Sequence, residues 1–240
     1  MNSKEKPIIL GLDTSCNTGS LAITEGDRPI AELTLDIKGR GTESLVPSID
    51  FLLAQNGYSK KDLDLVAVSI GPGSYTGLRV GLSTAKGISY ASGIPIVSVG
   101  TLRGLASRLP LAFFPVAPVV DAHSSFVYSA LYKWGSERIP PRARKLNDFL
   151  ELLPKDIIIF TGIDLHKFQD RIKEELGERA VFAHRWARIP SASVIATMGY
   201  RKFLAGKIAD TDSLTPEYLR DFMSGGGREQ GARVAFDMIK

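Results

Sequence analysis

Three polar residues at the end of the first apolar segment have the right types for phosphate and metal chemistry. Asp13, Thr14 and Ser15 directly follow the β-type run Ile8–Leu12. A carboxylate at this place can hold a hydrated cation, and small hydroxyl residues let the backbone approach a phosphate. The same residue types also suit a strand-end turn in which Asp and Ser cap their own backbone. The sequence leaves both interpretations open.

A second acidic strand end occurs in the other half of the chain. Asp121 follows the apolar run Val116–Val120 and is followed by Ala122 and His123. Together with Asp13 it would suit the metal carboxylates of an ATP-dependent enzyme, such as a small kinase or a carbamoyltransferase. The second turn has no glycine, which makes a close phosphate approach harder. We therefore expect no tight ATP binding by this chain alone.

A glycine-rich loop lies between a buried-type strand, Leu65–Ile70, and a predicted helix. Free N–H groups at such a place can hold an anion. The loop matches neither the Walker A motif nor the dinucleotide fingerprint, because the lysine and glycine spacings differ. The alternative is a tight turn with close helix packing through glycine. The candidate residues of this loop are Gly71, Pro72, Gly73, Ser74, Thr76, Gly77 and Arg79.

Histidine and cysteine give no sign of a metal or nucleophile site. His123, His166 and His184 lack chelating spacing. The single cysteine, Cys16, cannot form an internal disulfide and reads as a small buried hydrophobe rather than a reactive thiol. Gly81–Ala85 lacks the final glycine of a nucleophile elbow. We predict no metal ligands and no catalytic residues.

The elements that must position these residues follow one order in both halves. The first half predicts strands at Ile8–Leu12, Ser20–Thr24 and Ile30–Asp36, then a helix, a strand and a second helix. The first helix should start late, because Pro47 is tolerated only in a first turn. The second half predicts strands at Val116–Val120, Ser125–Tyr132, Ile157–Phe160 and near Val181, with helices at Asn147–Leu153, Leu165–Leu176 and Ser191–Ala205.

This order indicates an α/β protein with a duplicated βββαβα unit, divided into lobes at 1–108 and 109–240. It resembles the actin/sugar-kinase/Hsp70-like superfamily, in which two ribonuclease-H-like lobes face each other across a nucleotide cleft. Composition agrees with a globular protein, since 44% of the 240 residues are hydrophobic and 23% are charged. No apolar run approaches the ~18 residues of a membrane helix. We expect a soluble cytoplasmic protein without membrane contact.

Longer motifs resemble the bacterial TsaB family, also called YeaZ. The pattern that carries the resemblance is GPGS-aromatic-TG-aliphatic-R-aliphatic-G at 71–81. The resemblance is strong over 8–105 and is supported further along by Val120–Ala122 and by Pro216–Arg220, which is similar to the family's Pro-x-Tyr-Leu-Arg ending.

The resemblance implies a non-catalytic scaffold subunit that activates TsaD in making N6-threonylcarbamoyladenosine in tRNA. It further implies TsaE as a partner, a homodimer when TsaD is absent, indirect contact with tRNA, and ATP with magnesium only at the level of the assembly. TsaD-like proteins carry a His-x-x-x-His metal pair where this chain has Thr101 and Leu105. That difference argues against the M22-type glycoprotease label that such sequences have carried.

Two predicted helices carry apolar stripes at helical spacing. The family resemblance assigns them to a partner-binding face, whereas the alternative is that both stripes are internal core. The residues predicted for the interface are Leu45, Ile49, Leu52, Leu78, Gly81, Leu82 and Ala85.

Overall fold

The structure is a computed structural model that describes residues 6–36 and 41–219. Its first sheet has the strand order β3-β2-β1-β4-β5. β1 lies at the centre, antiparallel to β2 and parallel to β4. The strands and helices of this part are β1 (Ile8–Asp13), β2 (Thr18–Glu25), β3 (Arg28–Asp36), α1 (Gly41–Gln55), β4 (Leu65–Gly71), α2 (Tyr75–Ser92), β5 (Ile96–Gly100) and α3 (Thr101–Ser107).

The second sheet repeats this plan with the order β10-β9-β6-β7-β8. β6 is central, antiparallel to β7 and parallel to β9. The elements are β6 (Val116–Asp121), β7 (Phe126–Lys133), β8 (Ser136–Lys145), α4 (Leu146–Glu151), β9 (Ile158–Thr161), α5 (Gln169–Leu176), β10 (Ala180–Phe182) and α6 (Ala192–Leu204). The predicted duplication of an α/β unit is confirmed.

The two faces of the first sheet are covered by different helices. Leu10 and Val66 pack in the cluster that contains the apolar residues of α1 and α2. Their strand neighbours Ile9 and Ala67 pack instead against Ile195 of α6. Successive strand residues point to opposite faces, so α6 lies on the side opposite α1 and α2.

The division at 108/109 needs correction, because the end of the second half returns to the first sheet. α6 packs on β1, β2 and β4. A Cβ atom added to Gly11 would lie closer than 3.0 Å to the carbonyl oxygen of Ala192, so the contact requires glycine. Further along, Ala209 forms a bridge to Ile96, and the Glu217 N–H donates to the Ile70 carbonyl at 2.7 Å.

Two local predictions were wrong. α1 begins at Gly41, so Pro47 lies inside the helix instead of in its first turn. Because proline has no N–H, the Glu43 carbonyl four residues earlier lacks its helical hydrogen bond. Glu43 is exposed, so water can supply the missing donor. β8 was not predicted, because Pro140 and Pro141 argue against a central strand; it is an edge strand, where proline is tolerated.

The other boundaries agree with prediction to within a few residues, with one division. The single helix predicted over Leu165–Leu176 is a short 3-10 turn, Leu165–Lys167, followed by α5.

None of the described helices has both the length and the apolar character needed to cross a bilayer. Arg220 and the rest of the predicted tail lie outside the described residues.

Candidate functional site

The turn after β1 and the glycine-rich loop after β4 form one structure. The backbone N–H of Ser74 donates to the Ser15 carbonyl at 2.7 Å. The hydroxyl of Thr14 donates to the Gly77 carbonyl, also at 2.7 Å. Both segments follow the carboxyl ends of neighbouring parallel strands, which meet at the same edge of the sheet.

Glycine is required where the loop lies on the turn. A Cβ atom at Gly73 would clash with the Ser15 carbonyl oxygen, and one at Gly77 with the Thr14 carbonyl oxygen, both well inside 3.0 Å. A Cβ atom at Gly81 would clash in the same way with the hydroxyl of Thr14. The glycine pattern therefore serves close packing of backbone on backbone, one of the two interpretations that the sequence left open.

The remaining loop residues take separate places. Gly71 and Pro72, at the start of the loop, are buried. Ser74 caps α2, its hydroxyl accepting the Gly77 N–H at 3.2 Å. Thr76 is exposed, and Arg79 stacks over the ring of Tyr75 at 3.9 Å.

Asp13 is enclosed by this packing. Asp13, Thr14 and Ser15 are each only 2% exposed. Burial raises the pKa of the Asp13 carboxyl above its ordinary value, although the hydrogen bond that it accepts from the Ser15 backbone N–H opposes the shift. The hydroxyl of Ser15 is buried without a partner among the described residues. The chain's own glycine-rich loop therefore covers the turn that holds Asp13.

Asp121, the equivalent residue of the second sheet, has a basic neighbour. Its carboxylate lies 2.7 Å from the Lys167 ammonium and accepts the His123 N–H at 2.8 Å. Burial acts to raise the pKa of Asp121, but these two hydrogen bonds outweigh it and hold the pKa below its ordinary value. The Lys167 ammonium therefore supplies the counter-charge for this carboxylate.

The space between the two sheets is nearly closed. A cavity of about 10 Å³ lies there, roughly the size that admits one water. It is lined by Ser15, Cys16, Thr101, Leu105, Val120, Ile163 and Pro190. Burial, followed by the charge of Asp13, raises the pKa of the Cys16 thiol, which disfavours a reactive thiolate.

The predicted partner interface needs correction. All seven of its residues are buried, with side-chain exposures between 0% and 6% for Leu45, Ile49, Leu52, Leu78, Leu82 and Ala85. Gly81 is buried against Thr14. Both stripes pack on the first sheet. They are therefore internal core, which was the alternative interpretation of the sequence. The outward sides of α1 and α2 instead carry exposed residues, including Val46 and Phe51.

Two side chains that link distant segments of the chain were not predicted. The Glu32 carboxylate, on the exposed edge strand β3, accepts the hydroxyls of Ser20 at 2.7 Å and Ser193 at 2.7 Å, and so ties the start of α6 to the first sheet. Tyr218 accepts a hydrogen bond from the Arg79 guanidinium at 3.0 Å and stacks on Tyr75. Both contacts span more than 130 residues of sequence, so no local pattern announces them.

The fold and this site define a class. Two ribonuclease-H-like sheets with matching topology give the chain a two-lobed, actin-like α/β fold. The site of this fold is the turn after β1, which is covered by the chain's own glycine-rich loop.

Comparison with known proteins identifies the family. The family model described as "TsaD: tRNA N6-adenosine threonylcarbamoyltransferase" matches residues 40–223. The tRNA threonylcarbamoyladenosine biosynthesis protein TsaB of Bacillus subtilis is 32% identical over 88% of this chain and 93% of its own length. A YeaZ-like protein from Pseudomonas aeruginosa superimposes with a TM-score of 0.77 at 22% identity, covering 89% of this chain and 100% of the other. The chain belongs to the TsaB (YeaZ) family.

Proposed function

We propose that this chain is a non-catalytic subunit that supports and activates TsaD in forming N6-threonylcarbamoyladenosine in tRNA. Its family membership and its similarity to the Bacillus subtilis threonylcarbamoyladenosine biosynthesis protein support a role in that modification. The observation that carries the non-catalytic part is the covered turn. Asp13 cannot take a metal or phosphate unless Gly73 and Gly77 move away from Ser15 and Thr14.

The helix after β5 supports the same proposal. Thr101 and Leu105, at the positions that the TsaD-like histidine pair would occupy, are 3% and 4% exposed. The Thr101 hydroxyl shares a hydrogen bond of 2.8 Å with the buried Ser69 hydroxyl. Residues committed to core packing in this way cannot chelate an ion, and leucine has no ligand atom.

We place the contact with TsaD on the outward sides of α1 and α2. Val46 and Phe51 of α1 are 43% and 58% exposed, so both offer apolar surface to a partner. Gly87 of α2 has nothing within 4 Å of an added Cβ, so a partner helix can approach its backbone closely. A second copy of the chain, when TsaD is absent, would use the same surface.

Binding to TsaD from the same organism tests this surface. Phe51→Glu should weaken binding at least about tenfold, because a charge would replace the exposed apolar ring on the proposed contact surface. Leu152→Glu is the matched control, since Leu152 is 57% exposed on the second lobe. The melting temperature of both variants should stay that of the parent. If the Phe51 and Leu152 variants bind TsaD equally well, the proposed contact on α1 is wrong.

Reconstitution tests the non-catalytic assignment. The chain alone should form no modified adenosine from tRNA, threonylcarbamoyl donor and magnesium, whereas TsaD with this chain and TsaE should form it. Asp121→Asn should leave that combined activity within about twofold, because Lys167 already neutralises the carboxylate. Product formation by the chain alone, or loss of activity in the Asp121 variant, would contradict the proposal.

A further inference from the structure

A second cavity, of about 420 Å³, is lined in part by strand residues of both sheets: Pro29 of β3, Val116 of β6 and Tyr132 of β7. It is bounded by α3, by α6 and by the turn between β7 and β8, and it shares no lining residue with the small cavity at Ser15. Its volume falls in the range of small-molecule sites in proteins. The walls are mainly apolar, formed by residues such as Ala106, Pro110, Val116, Val194 and Met198.

The charges that line this cavity have one sign. Arg103 of α3 and Arg201 of α6 both line it, and no Asp or Glu stands in the lining that the structure describes. Glu137 and Glu217 lie near Tyr132 but outside the lining. Two guanidinium groups from separate helices favour an anion, and their planar forks match phosphate oxygens.

Trp134 forms the mouth of the cavity in an unfavourable backbone conformation. Trp134 and Gly135 both have positive φ, at 51° and 71°, in the two-residue turn between Lys133 and Ser136. Such turns favour Asn, Asp or Gly at their first central position, because a bulky side chain is strained there. Trp134 is 67% exposed, and the Lys133 ammonium lies 5.3 Å from the centroid of its ring. An exposed indole held at local cost is suited to stacking on a planar ligand.

We infer that this cavity binds a nucleotide, with the base against Trp134 and the phosphate on Arg103 and Arg201. An aromatic platform beside cationic side chains is the chemistry by which proteins hold unstacked bases. The exposed Leu111 and Phe113, which flank the lining residues Pro110 and Ala112, extend the apolar rim for a longer ligand. The nucleotide can be free or part of a single-stranded nucleic acid. The site does not depend on the function proposed above.

Fluorescence of Trp134 tests the inference. The chain has two tryptophans, so Trp186→Phe leaves Trp134 as the single reporter. We expect AMP to quench it with a dissociation constant below the millimolar range, and adenosine to bind at least about tenfold more weakly, because it lacks the charge-assisted contacts to arginine. Quenching by AMP indicates a free nucleotide, and quenching by oligoadenylate but not by AMP indicates nucleic acid. Either result supports the site.

Charge-matched variants separate this cavity from general attraction. Arg103→Gln with Arg201→Gln should weaken the binding of whichever ligand quenches by about tenfold or more. Arg138→Gln with Arg142→Gln removes the same charge from exposed positions on β8 that do not line the cavity. It should leave affinity within about twofold. Absence of quenching by AMP and oligoadenylate, equal affinity for AMP and adenosine, or equal losses in the two double variants would overturn the inference.

Discussion

Asp13 and Asp121 accept the same hydrogen bond at the ends of the central strands of the two sheets. Each Oδ1 accepts the backbone N–H two residues further along, from Ser15 at 2.9 Å and from His123 at 2.8 Å. The repeat of the fold thus extends to individual atoms. The surroundings differ, because Asp13 is enclosed in the core whereas Asp121 pairs with Lys167.

This difference predicts opposite effects of Asp→Asn on stability. Because burial raises the pKa of Asp13, the folded chain loses stability relative to the unfolded chain as pH rises through that pKa. Asp13→Asn should therefore gain unfolding free energy relative to the parent as pH rises above the ordinary carboxyl pKa of about 3.9, measured by urea denaturation. A difference that does not change with pH would contradict the assignment of a buried, titrating Asp13.

Asp121→Asn should have the reverse sign. The pKa of Asp121 is lowered, so its contribution is present above the unfolded pKa and is lost as pH falls. At neutral pH the variant should lose about 0.5 to 1 kcal/mol, a small value because Lys167 is well exposed to solvent. Below the pKa of the carboxyl, the variant and the parent should converge in urea denaturation. An undiminished loss in acid would show that the ion pair is not its cause.

Two glycines of α2 form a matched pair. Gly81→Ala should cost about 1 to 3 kcal/mol, because its methyl group would collide with the Thr14 side chain. Gly87→Ala should instead stabilise the chain by about 0.5 to 1 kcal/mol, since nothing lies within 4 Å and alanine favours helix. Urea denaturation of both variants checks the signs. Equal effects would mean that Gly81 does not pack on Thr14 as described.

Glu32→Gln should loosen the start of α6. The amide keeps one acceptor but cannot accept the hydroxyls of Ser20, Ser191 and Ser193 on two oxygens. We expect a loss of about 1 kcal/mol at neutral pH, limited by the exposure of this edge strand.

The pH dependence of this loss identifies its source. Burial acts to raise the pKa of Glu32, but the serine hydrogen bonds outweigh it and lower the pKa. The stabilisation is therefore present above the ordinary pKa and disappears as pH falls through the folded value. Ser136→Ala, on an exposed strand end, is the control. A loss that persists in acid would mean that the charge is not involved.

Tyr218→Ala should release the last described segment from the first lobe. The variant removes the stacking on Tyr75 and the hydrogen bond from Arg79. Hydrogen exchange of the Glu217 N–H, which donates to the Ile70 carbonyl, should become faster by about tenfold. Tyr218→Phe keeps the ring and should fall between the variant and the parent. Unchanged exchange in both would show that the ring does not hold the segment.

The sequence by itself determined the elements that depend on local pattern. β1 and β4 are apolar runs bounded by turn residues, and both are central strands with nearly every residue buried. The equal order of strands and helices in the two halves predicted the duplicated α/β fold. The long glycine motif predicted the family, because few backbones need glycine at so many fixed positions.

The tertiary structure alone decided what covers each apolar face. Helical spacing showed that one side of α1 and one side of α2 are buried, but a partner and the first sheet would give the same pattern. The sheet covers Leu45 and Leu82, and the exposed residues of these helices had no pattern to identify them.

The same holds for the contacts that close the site. Residue types at Asp13–Ser15 suited both a phosphate turn and a capped turn, and the distinction depends on the Gly73–Gly77 backbone that lies over it. α6 follows the second sheet in the chain yet packs on the first, and Glu32 holds its start from a distance of more than 150 residues. Local sequence reports that a surface is buried; which distant segment buries it depends on the packing of the whole chain.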